Sequence, residues 1–217
     1  MIQSRLLAVP AALVLSLGAL ALTEDPAPKP KPQPEAPKVA EVGKPAPAFT
    51  LKSLDGKEVK LADFKDKIVV LEWFNPGCPY VVRAHEKDSL KTTAADLTEG
   101  GVVWLAINSG APGQQGTGDE VNRKAAEKWG MKHPVLIDAE GTVGRSYGAK
   151  TTPHMYVIDD KGVLIYAGAI DDNPSSDAAD AATAKNYVRA AFEEASAGKP
   201  VTTASTAPYG CGVKYKN

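Results

Sequence analysis

The sequence predicts an α/β domain with a mostly parallel sheet and an antiparallel edge. Three observations carry this. Lys67 to Phe74 is a nearly unbroken apolar run rich in β-branched and aromatic residues, as a strand covered on both faces requires. Strand-like and helix-like segments then alternate. Late in the chain, two strand-like segments flank Asp160-Lys161-Gly162, a tight-turn signal.

The elements follow in order. Phe49–Leu51 and Glu58–Leu61 flank Asp55-Gly56, which predicts an N-terminal hairpin. Asn75-Pro76-Gly77 breaks the apolar strand. Pro79 then stands where a helix has its first residue, with Cys78 at the cap, and the helix is expected to run to about Leu97. Gly100-Gly101 ends that unit, and Val102–Asn108 reads as the next buried strand. Ser109–Gly118 is a loop of Gly, Pro and Gln. Thr117 and Glu120 have capping-box spacing, Val121, Ala125 and Trp129 recur at helical spacing, and Gly130 is a stop. Pro134–Ile137 is a third strand and Gly141–Tyr147 a short helix. Thr152-Pro153 precedes a fourth strand, Met155–Ile158. Val163–Ala167 is a fifth, and Ala178–Ala195 a final Ala-rich helix.

The chain has 217 residues, 43% hydrophobic and 24% charged, enough for one ordinary domain with appendages. Its 25 basic and 26 acidic residues are scattered, which excludes the clustered basic face that nucleic-acid binding needs. Arg5 and the apolar run Leu6–Leu22, with small residues at Ala19 and Ala21, read as a cleaved export signal over residues 1–22. The run is short for a span of roughly 20 residues and contains Pro10, so membrane contact is expected only through an uncleaved signal. Residues 23–42 form a Pro-rich extended linker, 43–200 the domain, and 201–217 a tail carrying Cys211. The expected location is the periplasm or the exterior.

The chemistry centres on sulfur. Cys78 and Cys211 are the two cysteines, and an even count in an oxidising compartment favours a disulfide or a redox pair. At a strand–helix junction the free N–H groups and the helix dipole favour a negative charge, so Cys78 is expected to be an acidified nucleophile. The bland alternative is an inert buried cysteine. Glu72 lies inside the apolar strand, where desolvation is expected to raise its pKa and make it a proton acceptor for Cys78. Its bland alternative is a strand-end carboxylate paired with a lysine. His85 reads as a surface or packing residue, His154 as a structural residue at a strand start, and His133 carries no signal. No metal-ligand spacing, phosphate loop or nucleophile elbow is present, and no cofactor is expected.

Taken in order, several motifs resemble the thioredoxin-like superfamily, and within it the peroxiredoxin-like redoxin (AhpC/TSA-type) branch. They are Val42-Gly43-Lys44-Pro45-Ala46-Pro47 with Phe49, the strand Ile68–Phe74, Cys78-Pro79-Tyr80, Asp138-Ala139-Glu140-Gly141, Tyr147-Gly148 and Thr152-Pro153. The resemblance implies a three-layer fold, with a central mixed sheet flanked by helices and an N-terminal hairpin extension. It implies a cis Thr152–Pro153 bond packed against Cys78, and Glu72 at the thioredoxins' buried carboxylate position. It places Pro79, Tyr80, Thr152 and Pro153 at the substrate-binding surface, with the Thr152 backbone free to pair with substrate. The segment Pro208–Tyr215 looks like the Gly-Cys tail of one peroxiredoxin-like subgroup. The departures are equally specific. The second cysteine of a thioredoxin is Val81 here, and the peroxiredoxin hydroxyl residue is Asn75.

Three functions stay open. The first is thiol–disulfide exchange with protein or small-molecule disulfides through Cys78, with Glu72 moving the proton, Cys211 resolving and an unidentified thiol as electron donor. The second is a peroxiredoxin-like thiol peroxidase acting on peroxides. The third is a non-catalytic module stapled by Cys78–Cys211, a bridge closing roughly 130 residues and adding about 4–5 kcal/mol in the chain-entropy model. Val81 cannot resolve an oxidised Cys78, which leaves Cys211. Its flanking glycines permit close backbone approach, and Tyr209, Val213 and Tyr215 are candidates to dock the tail.

Overall fold

The structure, a computed structural model, describes residues 39–87, 89–177 and 184–216. The expected signal and most of the linker lie outside them. The last linker residues already touch the domain: the Ala40 N–H donates to the Ser146 carbonyl at 2.8 Å.

Strands β1 (Thr50–Ser53) and β2 (Glu58–Lys60) form the expected hairpin, followed by a 3-10 turn at Leu61–Phe64. Then come β3 (Val69–Trp73), α1 (Pro79–Glu86), α2 (Lys91–Glu99), β4 (Val103–Asn108), α3 (Asp119–Lys128), β5 (Val135–Ile137) and α4 (Thr142–Tyr147). The chain closes with β6 (Thr151–Thr152), β7 (His154–Ile158), β8 (Leu164–Gly168), α5 (Tyr187–Ser196) and β9 (Cys211–Gly212). The main sheet runs β2-β1-β5-β4-β3-β7-β8. β3, β4 and β5 are parallel, while β1 and the β7–β8 hairpin pair antiparallel at either side. The mixed three-layer architecture is therefore as expected.

β3 explains its composition. It lies between β4 and β7, and all five residues are buried. Alternation sends Val69, Leu71 and Trp73 to one face, where they meet Leu105, Ile107, Tyr156 and, from α4, Val143 and Tyr147. Val70, Glu72 and Phe74 face α1, α2, α3 and α5. The Trp73 ring sits 5.4 Å from Tyr147 and 5.1 Å from Tyr156. Each such fully buried large side chain contributes about 1.5–3 kcal/mol.

Three expectations need correction. The helix after Cys78 does not reach Leu97 unbroken; it stops at Glu86 and restarts at Lys91. Neither Gly nor Pro marks the break. Ser89 is drawn inward there, its hydroxyl donating to Asp171 and its carbonyl accepting from Asn186. Thr117 does not cap α3: the cap is Gly118 at φ +94, and the Thr117 hydroxyl turns back to the Gln114 carbonyl. The final helix begins at Tyr187, with Asn186 accepting from the Arg189 N–H as its cap. Residues 178–183 of the expected helix lie outside the described set.

The tail crosses the domain as a strap. Ala204 and Thr206 pair with Ala167, and the Thr206 hydroxyl accepts from the Ala169 N–H. Farther on, Ala111 donates to the Lys214 carbonyl at 2.7 Å, and the Tyr215 hydroxyl donates to Ala149 at 2.8 Å. Tyr215 covers Gly141 and Gly144, where an added Cβ would meet its ring atoms or hydroxyl within 2.5 Å.

His154, opposite Trp73 in β7, is 6% exposed, and its Nδ1 accepts from the Lys150 N–H at 3.3 Å. Burial, helped by the Lys150 charge, lowers its pKa to about 4. The unfolded imidazole binds its proton near about 6.5. Unfolding therefore takes up a proton below that pH, and stability should fall from about 6.5 down to about 4. Urea midpoints across that range should decline in the wild type and decline less in His154→Gln.

Candidate functional site

Cys78 is placed by the way β3 ends. Asn75 accepts the Gly77 N–H on its side chain and the Cys78 N–H on its carbonyl, closing a turn that sets Cys78 at the cap of α1 with Pro79 first in the helix. The thiol is fully buried beside Phe74, Val81 and Ala106. When protonated it donates to the Thr152 carbonyl at 3.0 Å. The Thr152–Pro153 bond is cis, as expected.

The tail comes to the same place. β9 pairs antiparallel with β6, setting Cys211 opposite Thr152 and Gly212 opposite Thr151, and the Val213 N–H continues the ladder to Lys150 at 3.0 Å. Gly210 sits at φ +129, and a Cβ there would lie 2.1 Å from the Thr152 carbonyl oxygen. Glycine is required by that contact. Both cysteines are free thiols, and Cys211 packs against the apolar cluster that contains Cys78.

Their acidities diverge. Burial pushes Cys78 up, but hydrogen bonds from the Cys211 side chain, Thr152 and the Val81 and Cys211 backbone outweigh it and leave the pKa below the ordinary value. Cys211 is pushed up to about 11 by burial, by its bond to Cys78 and by the Cys78 charge. Of the two sulfurs, Cys78 is therefore the more acidic.

The remaining sequence candidates divide. Pro79 is exposed on the first turn of α1, Tyr80 packs 5.8 Å from the Tyr209 ring, and Pro153 is buried. The Thr152 backbone, expected to await a substrate, is engaged by Cys211. Glu72 is fully buried, but among the described residues its hydrogen bonds go to His85 Nε2 at 2.8 Å and Trp104 Nε1 at 3.1 Å, not to Cys78. Its expected upward pKa shift is also corrected. Desolvation does push it up, but the charge and hydrogen bond of His85, the charge of His133 and the Trp104 bond carry it below the usual carboxylate value. His85, expected as a surface or packing residue, is the buried partner of that carboxylate and stacks on Trp129 at 4.6 Å.

Asn75 does more than its sequence position indicates. Its amide donates to the Gln115 carbonyl at 3.1 Å, and the Gln115 side chain donates back to the Gly77 carbonyl at 2.9 Å. The loop after β4 is thereby clamped to the Cys78 turn. Among the described residues no three His, Cys, Asp or Glu side chains cluster as metal ligands. The chemistry within reach is that of two adjacent sulfurs of unequal acidity.

The ultraviolet absorbance of the Cys78 thiolate should titrate with a midpoint below about 8.5 and move upward in Cys211→Ala, which removes a donor. Gly210→Ala should do the same with both cysteines intact, because the added methyl pushes β9 off Thr152.

A thiol-disulfide oxidoreductase ResA from Geobacillus thermodenitrificans is 32% identical over 122 residues, 56% of this chain and 65% of the relative. A thioredoxin peroxidase from Echinococcus granulosus is 32% identical over 134 residues, 58% of this chain and 69% of the relative. The chain thus spans about two thirds of the length of these curated relatives. The crystal structure of an uncharacterised conserved protein from Geobacillus kaustophilus superposes with a TM-score of 0.72 at 32% identity, covering 81% of this chain and 93% of that one. The Redoxin family profile matches residues 41–185, more than half of the sequence, and the chain belongs to the Redoxin family.

Proposed function

We propose that the protein is an oxidoreductase performing thiol–disulfide exchange, with Cys78 as nucleophile and Cys211 as resolving thiol. The observation that carries this is the placement of Cys211 by β9 opposite Thr152, the residue whose carbonyl accepts from the Cys78 thiol. The Cys78 thiolate attacks a disulfide R–S–S–R, forming Cys78–S–S–R and releasing one thiolate, RS⁻. Cys211 gives up its proton and attacks Cys78 Sγ, forming the Cys78–Cys211 bond and releasing the second RS⁻. The proton that Cys211 loses and one from solvent convert the two thiolates to thiols. Two protein thiols are oxidised and one disulfide is reduced. An external thiol donor reverses the change.

Glu72 enters this reading as a fixed buried charge behind α1. A route for the Cys78 proton through it would need a relay, since its oxygens are committed to His85 and Trp104. Pro79 and Tyr80 lie at the accessible edge of the site, whereas Thr152 and Pro153 are buried, so a peptide seeking the Thr152 backbone must displace the tail. The apolar run and Pro-rich stretch before residue 43 support export to the periplasm or beyond, where disulfides persist.

A second reading, thiol peroxidase, is supported by the peroxidase name of one relative. Cys78 would become a sulfenic acid and Cys211 would resolve it with release of water. The Asn75 side chain, committed to Gly77 and Gln115, offers no hydroxyl to orient a peroxide.

Reduced wild type given a small disulfide should become a monomer with no free thiol. Cys211→Ser should stop at a Cys78 mixed disulfide. Complete turnover in Cys211→Ser would remove Cys211 from the mechanism. Faster oxidation by hydrogen peroxide than by the disulfide would select the peroxidase reading, and a wild-type bridge that no thiol reduces would select the structural staple.

A further inference from the structure

Tyr209, two residues before Cys211, reaches a polar centre that the thiol chemistry does not use. Arg83 of α1 and Asp171 form an ion pair 2.5 Å long, with side chains 1% and 0% exposed. Asp171 Oδ2 also accepts from the Ser89 hydroxyl at 2.6 Å. Its Oδ1 accepts from the Asn173 N–H at 3.0 Å and from the Tyr209 hydroxyl. Arg83 donates through Nη1 to the carbonyls of Asn173 and Ser175, and through Nη2 to the Tyr209 oxygen at 3.2 Å. The single Tyr209 hydroxyl therefore both donates to the carboxylate and accepts from the guanidinium.

A buried ion pair is weak evidence for stability, because the desolvation of two charges offsets much of their attraction. What this pair does supply is a rigid donor and acceptor spaced for one hydroxyl. Its position is specific. Arg83 stands five residues after Cys78 on the helix that Cys78 caps, and Asp171 is held to it. The Tyr209 ring is wedged beside Tyr80, with the Arg83 guanidinium 5.9 Å from its centre. Seating Tyr209 thus ties the tail to the same element that carries the nucleophile.

We infer that Arg83 and Asp171 form a socket whose occupation by Tyr209 sets Cys211 against Cys78, making Tyr209 a positioning residue for the resolving step. This rests on Cys211 being the resolving thiol. With Tyr209 seated, Cys211 attacks Cys78 Sγ as soon as a mixed disulfide forms and expels the remaining thiolate. With it unseated, the mixed disulfide persists until an external thiol arrives.

The test uses the full chain. Reduced protein is mixed with glutathione disulfide, quenched with acid at intervals, and the Cys78 mixed disulfide and the internal disulfide are followed by mass. Tyr209→Phe keeps the ring and removes the hydroxyl. Losing hydrogen bonds to charged partners should lengthen the mixed-disulfide lifetime by roughly ten- to hundredfold. Tyr147→Phe, which removes a hydroxyl bonded to the Pro47 carbonyl, controls for general destabilisation and should keep the wild-type lifetime. A wild-type lifetime in Tyr209→Phe, while Cys211→Ser still traps the mixed disulfide, overturns the socket and leaves the resolving role of Cys211 standing. Equal lengthening in both Tyr variants also overturns it. Failure of Cys211→Ser to trap overturns the reading beneath it.

Discussion

The antiparallel pairing of Thr152 with Cys211 is the contact on which the site depends. It brings Cys211 to the residue whose carbonyl accepts from the Cys78 thiol, and the surrounding hydrogen bonds hold the pKa of that buried sulfur below its ordinary value. Two residues of ladder are weak by themselves. They hold because the strap is tied on both sides, by Thr206 and Tyr209 before the ladder and by Val213, Lys214 and Tyr215 after it. The unequal acidities follow from the arrangement. The donors converge on Cys78 and lower its pKa, while burial and the neighbouring sulfur raise that of Cys211.

One short helix coordinates the polar interior. Cys78 caps α1, Arg83 reaches Asp171, and His85 reaches Glu72. Glu72 and Asp171 are both fully buried carboxylates, and each is matched by a basic side chain and at least one neutral donor. Such groups are tolerated only when every partner is in register. The position of α1 over the sheet is therefore fixed at two points besides its apolar contacts, and Cys78 at its start inherits that precision.

Much of this was legible in the sequence. The strands announce themselves as apolar runs between turn residues, and Asp55-Gly56 and Gly162 fall where the chain reverses. The Cys78–Cys211 association follows from a missing second cysteine at Val81 and from a Gly-flanked tail. What stayed hidden is polar and distant. The His85 partner lies 13 residues from Glu72, Trp104 lies 32 away, and Asp171 is 88 residues beyond Arg83. No local periodicity records such pairings. The helix break before Lys91 was missed for the same reason, since Asp171 and Asn186 draw Ser89 inward. Desolvation alone pointed Glu72 in the wrong direction, because its two histidine neighbours could not be foreseen.

Gly210 gives the site a particular relation to heredity. Its need for glycine comes from the Thr152 carbonyl facing it as well as from its backbone angle. Any codon change that alters the residue introduces a Cβ into that space. A lineage can therefore lose the seating of the tail by one substitution without touching either cysteine, and both sulfurs would remain in the gene after their juxtaposition had gone. Among relatives that keep both cysteines, the residue before the second one would separate chains whose tail can seat against the cis-proline loop from chains whose tail cannot.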